Sequence, residues 1–81
     1  EINLKKPFKK SYDELQALLP ARNQLPASEH DWQQLQKAAV NFNAQIFIKS
    51  GLSKAHAREL AQTIHGGTVG RIVLTYILQN R

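Results

Sequence analysis

The feature that most constrains the fold is one run of apolar residues at helical spacing. Its members follow one another at intervals of three, four, three and four residues: Trp32, Leu35, Ala39, Phe42 and Ile46. That spacing places all of them on one face of an α-helix. Ser28, followed by Glu29 and Asp31, predicts the start of this helix, and Gly51 predicts its end. In its second half, apolar residues also lie off this face, which indicates a helix that is buried in the centre of the fold.

Two shorter helices are predicted on either side of the central one. Ser11 and Glu14 match a capping box, so the first helix is expected to begin at Ser11 and to stop before Pro20. Ser53 is the expected cap of the third helix, and the glycine pair after His65 is expected to end it. The expected inward-facing residues of this third helix are Ala57, Leu60, Ala61 and Ile64.

The last segment is compatible with two conformations. Thr68 is a possible cap for a helix over residues 69–79, but the segment is rich in β-branched side chains, which favour strands. We therefore predict an all-α fold, a small array of about four helices. The alternative is an α+β fold with strands near residues 45–49 and 71–77.

The amino-terminal segment differs from the rest of the chain. Residues 1–10 carry four lysines around Pro7 and show no apolar period, which predicts a flexible basic arm. Phe8 and Tyr12 border this arm and are expected to contact a partner or to pack onto the first helix. The predicted organisation is thus an arm, residues 1–10, and a single helical domain, residues 11–81. Deleting the arm is expected to leave the fold intact.

Composition argues against several classes of function. The 81 residues contain no cysteine, which removes thiolate nucleophiles and cysteine-ligated zinc. His56 and Glu59 are three residues apart, but no third ligand completes a metal site. We expect neither a metal nor any other cofactor. We also expect no catalysis, because a domain of this size is too small to enclose a pocket that excludes water. A small chain without disulfides and without a long apolar run is expected to be intracellular and cytoplasmic, with no membrane partner.

The charge distribution favours an acidic partner. The net charge is +5, and residues 32–81 carry six cations against Glu59 alone. Such a surface is typical of proteins that contact phosphates. We therefore predict a nucleic-acid-binding module, with DNA preferred over RNA. The alternative is a helical protein–protein interaction domain of a larger assembly. A continuous basic face would favour the first function, and an exposed apolar groove would favour the second.

Three groups of residues are the predicted nucleic-acid contacts. The first is the set of arm lysines: Lys5, Lys6, Lys9 and Lys10. The second is a strip of the third helix whose members fall within about 40 degrees of one another at 100 degrees per residue: Lys54, Arg58 and His65. The third is a glycine-rich turn that could hold a phosphate: Gly67, Thr68 and Arg71. The simpler interpretations are a solvated helix face for the strip and a tight helix–helix connection for the turn.

Overall fold

The chain forms four helices, and the described residues contain no strand. The computed structural model describes the backbone of residues 2–80 and the side chains of residues 7–80. The helices, in chain order, are α1 (Ile2–Leu18), α2 (Glu29–Lys49), α3 (Lys54–His65) and α4 (Gly67–Gln79). The all-α prediction is confirmed. The α+β alternative is wrong, because residues 45–49 lie in α2 and residues 71–77 lie in α4.

The predicted caps of α2 and α3 are confirmed. The Ser28 hydroxyl accepts a hydrogen bond from the Asp31 backbone N–H at 3.1 Å, and the Ser53 hydroxyl accepts one from the His56 N–H at 3.2 Å. Each bond satisfies one of the backbone donors that the first turn of a helix leaves without a partner. Short polar side chains therefore fix the starts of both helices.

The first helix begins nine residues earlier than the sequence predicts. Its start at Ser11 and the non-helical arm are wrong, since α1 extends from Ile2, and Ser11 lies inside it with its hydroxyl donating to the Phe8 carbonyl at 2.8 Å. Packing explains the extension. The rings of Phe8 and Tyr12 lie 5.3 and 5.8 Å from the ring of Phe42 on α2. Pro7 removes one intrahelical hydrogen bond but does not end the helix.

The core is centred on α2, as predicted. Helices α1 and α3 both pack on α2, and within the described part of the chain they make no packing contact with each other. One buried cluster joins α2 to α4, and Leu15 of α1, Leu19 just after α1 and Trp32 pack against it. Its buried members are Leu35, Ala39, Leu74 and Leu78. The other joins α2 to α3 through small side chains that allow close approach: Val40, Ala44, Ala57 and Ala61. Leu60, predicted to face inward, is 40% exposed instead.

A glycine corner, residues 66–70, turns the chain from α3 into α4. Gly66 is the N-cap of α4 without a side-chain cap bond, so the prediction of Thr68 as cap is wrong. Gly67 has a φ of +63°, which lies in the left-handed region that residues other than glycine rarely adopt. At Gly70, a Cβ atom would lie 2.1 Å from the carbonyl carbon and oxygen of His65. The corner therefore depends on glycine at two positions for two different reasons.

Candidate nucleic-acid interface

A groove runs along the polar face of α2, with α1 as one wall and α3 as the other. Its larger part, about 700 Å³, lies between α1 and α2. Its smaller part, about 260 Å³, lies between α2, α3 and the glycine corner. Lys37 and Asn41 line both parts, so the two form one continuous surface. We call this surface the α2 groove. Its polar and charged lining residues are Lys10, Ser11, Glu14, Gln33, Gln34, Gln36, Lys37, Asn41, Gln45, Arg58 and Gln62, of which Ser11 and Gln36 are buried.

Three helices each contribute one cation to the α2 groove. Lys10 comes from α1, Lys37 from α2 and Arg58 from α3, whereas Glu14 is the one carboxylate among the described side chains of the groove. None of the three cations takes part in the ion pairs found among the described side chains. Arg58 donates from Nη2 to the Asn41 side-chain oxygen at 3.2 Å, a neutral partner that leaves its charge uncompensated. The groove therefore presents an excess of positive charge.

Side-chain amides make up much of the remaining polar lining. Besides the buried Gln36, they are contributed by α2 and α3: Gln33, Gln34, Asn41, Gln45 and Gln62. A side-chain amide offers both donors and an acceptor, and it carries no charge to be desolvated on binding. Amides beside cations are well suited to hydrogen-bond with phosphate oxygens, sugars and base edges.

Arg71 does not line the α2 groove, and it joins α4 to α2. Its Nη1 donates to Glu29 Oε1 at 2.8 Å, and its Nη2 pairs with the other carboxylate oxygen of Glu29. Its Nε donates to the Gln36 side-chain oxygen at 2.9 Å, and the guanidinium lies 5.6 Å from the centre of the Trp32 ring. The hydrogen bond from Arg71 lowers the pKa of Glu29, and the same bond raises the pKa of Arg71. The predicted phosphate-binding arginine is thus occupied by an internal carboxylate.

The same Gln36 side chain also holds the glycine corner in place. Its buried amide nitrogen donates to the backbone carbonyls of His65 at 3.0 Å and Gly67 at 2.8 Å. A buried amide with these bonds is satisfied, and it fixes the position of the corner relative to α2. Gln36 was not among the predicted functional residues, because nothing in the sequence separates it from its neighbours Gln33 and Gln34.

The predicted basic strip of α3 is interrupted at its carboxyl end. Lys54 and Arg58 are exposed, but the His65 side chain is only 7% exposed, so its predicted place on an exposed strip is wrong. The angular spacing on the helix is correct, but the corner and α4 cover the last turn of α3. Burial lowers the pKa of His65, because removing the imidazole from water disfavours its charged form. Its Nδ1 has no hydrogen-bond partner among the described residues.

The remaining predicted contacts are dispersed. Lys9 pairs with Asp13 at 3.2 Å on the exposed side of α1. Lys54 and Thr68 are exposed but do not line the α2 groove. Lys5 and Lys6 belong to α1, and their side chains lie outside the described residues.

The α2 groove therefore unites only part of the predicted set. It brings together Lys10, Arg58 and Gly67, and it adds Lys37, which the sequence analysis missed. Lys37 had a signal of its own, because it is the one charged residue between Trp32 and Ile48. A lone cation on a helix that is otherwise apolar or amide-bearing indicates the solvent-facing side of that helix.

Comparison of the chain with protein-family models, curated proteins and solved structures found no match. In the described part of the chain, no three potential metal-ligating side chains of the His, Cys, Asp and Glu types lie together. No helix in that part is both long enough and apolar enough to cross a bilayer.

Proposed function

We propose that this chain is a non-catalytic nucleic-acid-binding module that holds the sugar–phosphate backbone of DNA in the α2 groove. The observation that carries the proposal is the convergence of Lys10, Lys37 and Arg58 from three helices on one concave surface. Phosphates dominate the affinity of proteins for nucleic acids, and lysine and arginine are the side chains that neutralise them.

Electrostatic attraction supports this proposal both within the groove and over longer distances. Within the groove, three cations face one carboxylate, so a bound phosphate gains more attraction than repulsion. Over the whole molecule, the net charge of +5 draws a polyanion toward the surface before contact is made. Both effects weaken as salt is added, because mobile ions screen charges beyond roughly 8 Å at physiological ionic strength.

The roles within the groove follow from the chemistry of its side chains. Arg58, fixed against Asn41, can bind a phosphate through two parallel N–H groups. Lys10 and Lys37 act as point charges on flexible stems. The amides between them supply hydrogen bonds to sugar or base edges. We expect DNA to be the ligand, and RNA binding is measured for comparison.

Charge removals inside and outside the α2 groove test the proposal. Binding of fluorescently labelled single- and double-stranded DNA and RNA is measured by anisotropy at low salt for the wild type and for Lys37→Gln, Arg58→Gln and Lys49→Gln. A charge-assisted hydrogen bond contributes about 1.5–3 kcal/mol, so each groove variant should raise the Kd for DNA about tenfold or more.

Lys49→Gln is the matched control. It removes one positive charge, as the groove variants do, and it lies on α2 like Lys37, but Lys49 lies against the Phe8 ring at 4.5 Å and does not line the groove. We expect a change in Kd of less than about twofold for this variant. Equal effects of the groove and control variants, or no binding by the wild type at low salt, would contradict the proposal.

A second candidate function, docking onto another protein chain, is favoured by a different observation. Helix α4 exposes Val69, Ile72, Tyr76 and Ile77 to solvent, and none of these side chains lines the α2 groove. Exposed apolar side chains that lie together typically mark a binding surface for another protein.

A further inference from the structure

The outer face of α4 is apolar and open to solvent. Val69 is 60% exposed, Ile72 66%, Tyr76 70% and Ile77 47%. At 100 degrees per residue, these four side chains fall within about 140 degrees of one another. The opposite face of the same helix carries Leu74 and Leu78, which form part of the core. Helix α4 is thus apolar on two faces and uses only one of them within the chain.

This α4 face, defined by Val69, Ile72, Tyr76 and Ile77, is free of charge. From Ile72 to Asn80 the helix and its cap contain no Lys, Arg, Asp or Glu. The charged residue of α4, Arg71, is directed toward Glu29. On a chain with a net charge of +5, such a neutral surface is the place where two copies can approach without bringing like charges together.

The area of the α4 face is sufficient for a small dimer. With an aromatic side chain covering roughly 150–250 Å² and the aliphatic ones less, the four exposed side chains present on the order of 500 Å² per copy. That is about a tenth of the accessible surface of the chain, 5651 Å², and about a tenth is the share that a standard interface takes from a small protein. Pairing two copies would bury about 1,000 Å², the lower limit for a specific interface.

We propose that α4 is a self-association surface, on which a second copy of this chain packs its own α4 across a two-fold axis. The proposal rests on the second candidate function, docking onto a protein chain, and is independent of nucleic-acid binding. A two-fold interface uses the same patch on both copies, so the patch must complement itself. The uncharged α4 face meets that condition, because positions 69, 72 and 76 have the three- and four-residue spacing of a helix–helix seam and Ile77 widens it on one side.

Sedimentation over a concentration series tests the proposal. The wild type should shift toward twice its monomer mass of 9.2 kDa as its concentration rises. Ile72→Lys and Tyr76→Lys each place two like charges in the seam and should raise the dimer dissociation constant at least tenfold. Both side chains are mostly exposed, so the variants should keep their helical circular dichroism. Leu60→Lys is the matched control, since Leu60 is an exposed leucine of α3 whose cavity neighbours include no residue of α4.

Cross-linking supplies an independent readout. Because the chain contains no cysteine, Ile72→Cys introduces a single thiol, and a dimer should form a covalent pair with a short thiol-reactive linker. Leu60→Cys should not. A wild type that stays monomeric at about 1 mM, or equal cross-linking of the two variants, would overturn the proposal. Lys37→Gln and Arg58→Gln should dimerise like the wild type, so failure of self-association and failure of DNA binding are measured separately.

Discussion

Gly67 and Gly70 form the glycine corner through two distinct physical constraints. A Cβ atom on Gly67 would meet no atom within 4 Å, and the constraint there is its φ of +63°. A Cβ atom on Gly70 would overlap the His65 carbonyl, which is backbone and cannot rotate away. A side chain would therefore cause conformational strain at Gly67 and steric overlap at Gly70, and the two should lower the unfolding free energy by different amounts.

Alanine substitutions should separate these two constraints. Gly67→Ala should cost about 1–2 kcal/mol of unfolding free energy, because a side chain disfavours the left-handed region. Gly70→Ala should cost about 3 kcal/mol or more, because α3 and α4 must move apart to relieve the overlap. Thermal and urea unfolding of both variants measure the difference. A Gly70→Ala variant no less stable than Gly67→Ala would contradict the close packing of the corner.

Some of the contacts in the structure could be predicted from the sequence, and others could not. Ser28 and Ser53 were predictable, because a cap bond spans only three residues. The partner of Arg71 was not, since Glu29 is 42 residues away in the chain and only the packing of α4 against α2 brings the two together. His65 was misplaced for the same reason: its angle on α3 was correct, but a neighbouring helix covers it.

At the scale of elements, α1 shows how local signals can mislead. Pro7 and the surrounding lysines suggested a chain without structure. The apolar residues at intervals of four, three and four, namely Phe8, Tyr12, Leu15 and Leu19, form the face that packs on α2. By contrast, the pattern of α2 was sufficient to predict both its bounds and its central position. A helix is predictable from sequence when its apolar face is continuous and no proline or charge cluster obscures it.

Phe8→Ala tests whether the first half of α1 belongs to the core. The ring is half-buried between Phe42 and Lys49, so its removal should cost about 1–3 kcal/mol. For a domain of this size the melting temperature should fall by roughly 4–8 °C per kcal/mol. Lys10→Ala, a surface change two residues away, should cost no more than about 0.5 kcal/mol. Equal melting temperatures for the two variants would mean that this part of α1 does not pack on α2.

At the scale of the whole molecule, the chain has two surfaces of opposite character. The α2 groove collects cations and amides from three helices, while the α4 face is neutral and apolar. Composition predicted a basic body but could not locate the groove, because its cations are separated by 27 and 21 residues in the chain: Lys10, Lys37 and Arg58. Their convergence depends on α1 and α3 both packing on α2.

The dependence of DNA affinity on salt tests the groove most directly. Each phosphate neutralised on duplex DNA contributes roughly −0.9 to the slope of log K against log salt, so three contacts predict a slope of about −2.7. The double variant Lys37→Gln, Arg58→Gln should reduce the slope to about −0.9, while Lys49→Gln should leave it unchanged. A short labelled duplex, titrated at several salt concentrations with each protein, gives all three slopes. A double variant with the slope of the wild type would contradict binding in the α2 groove.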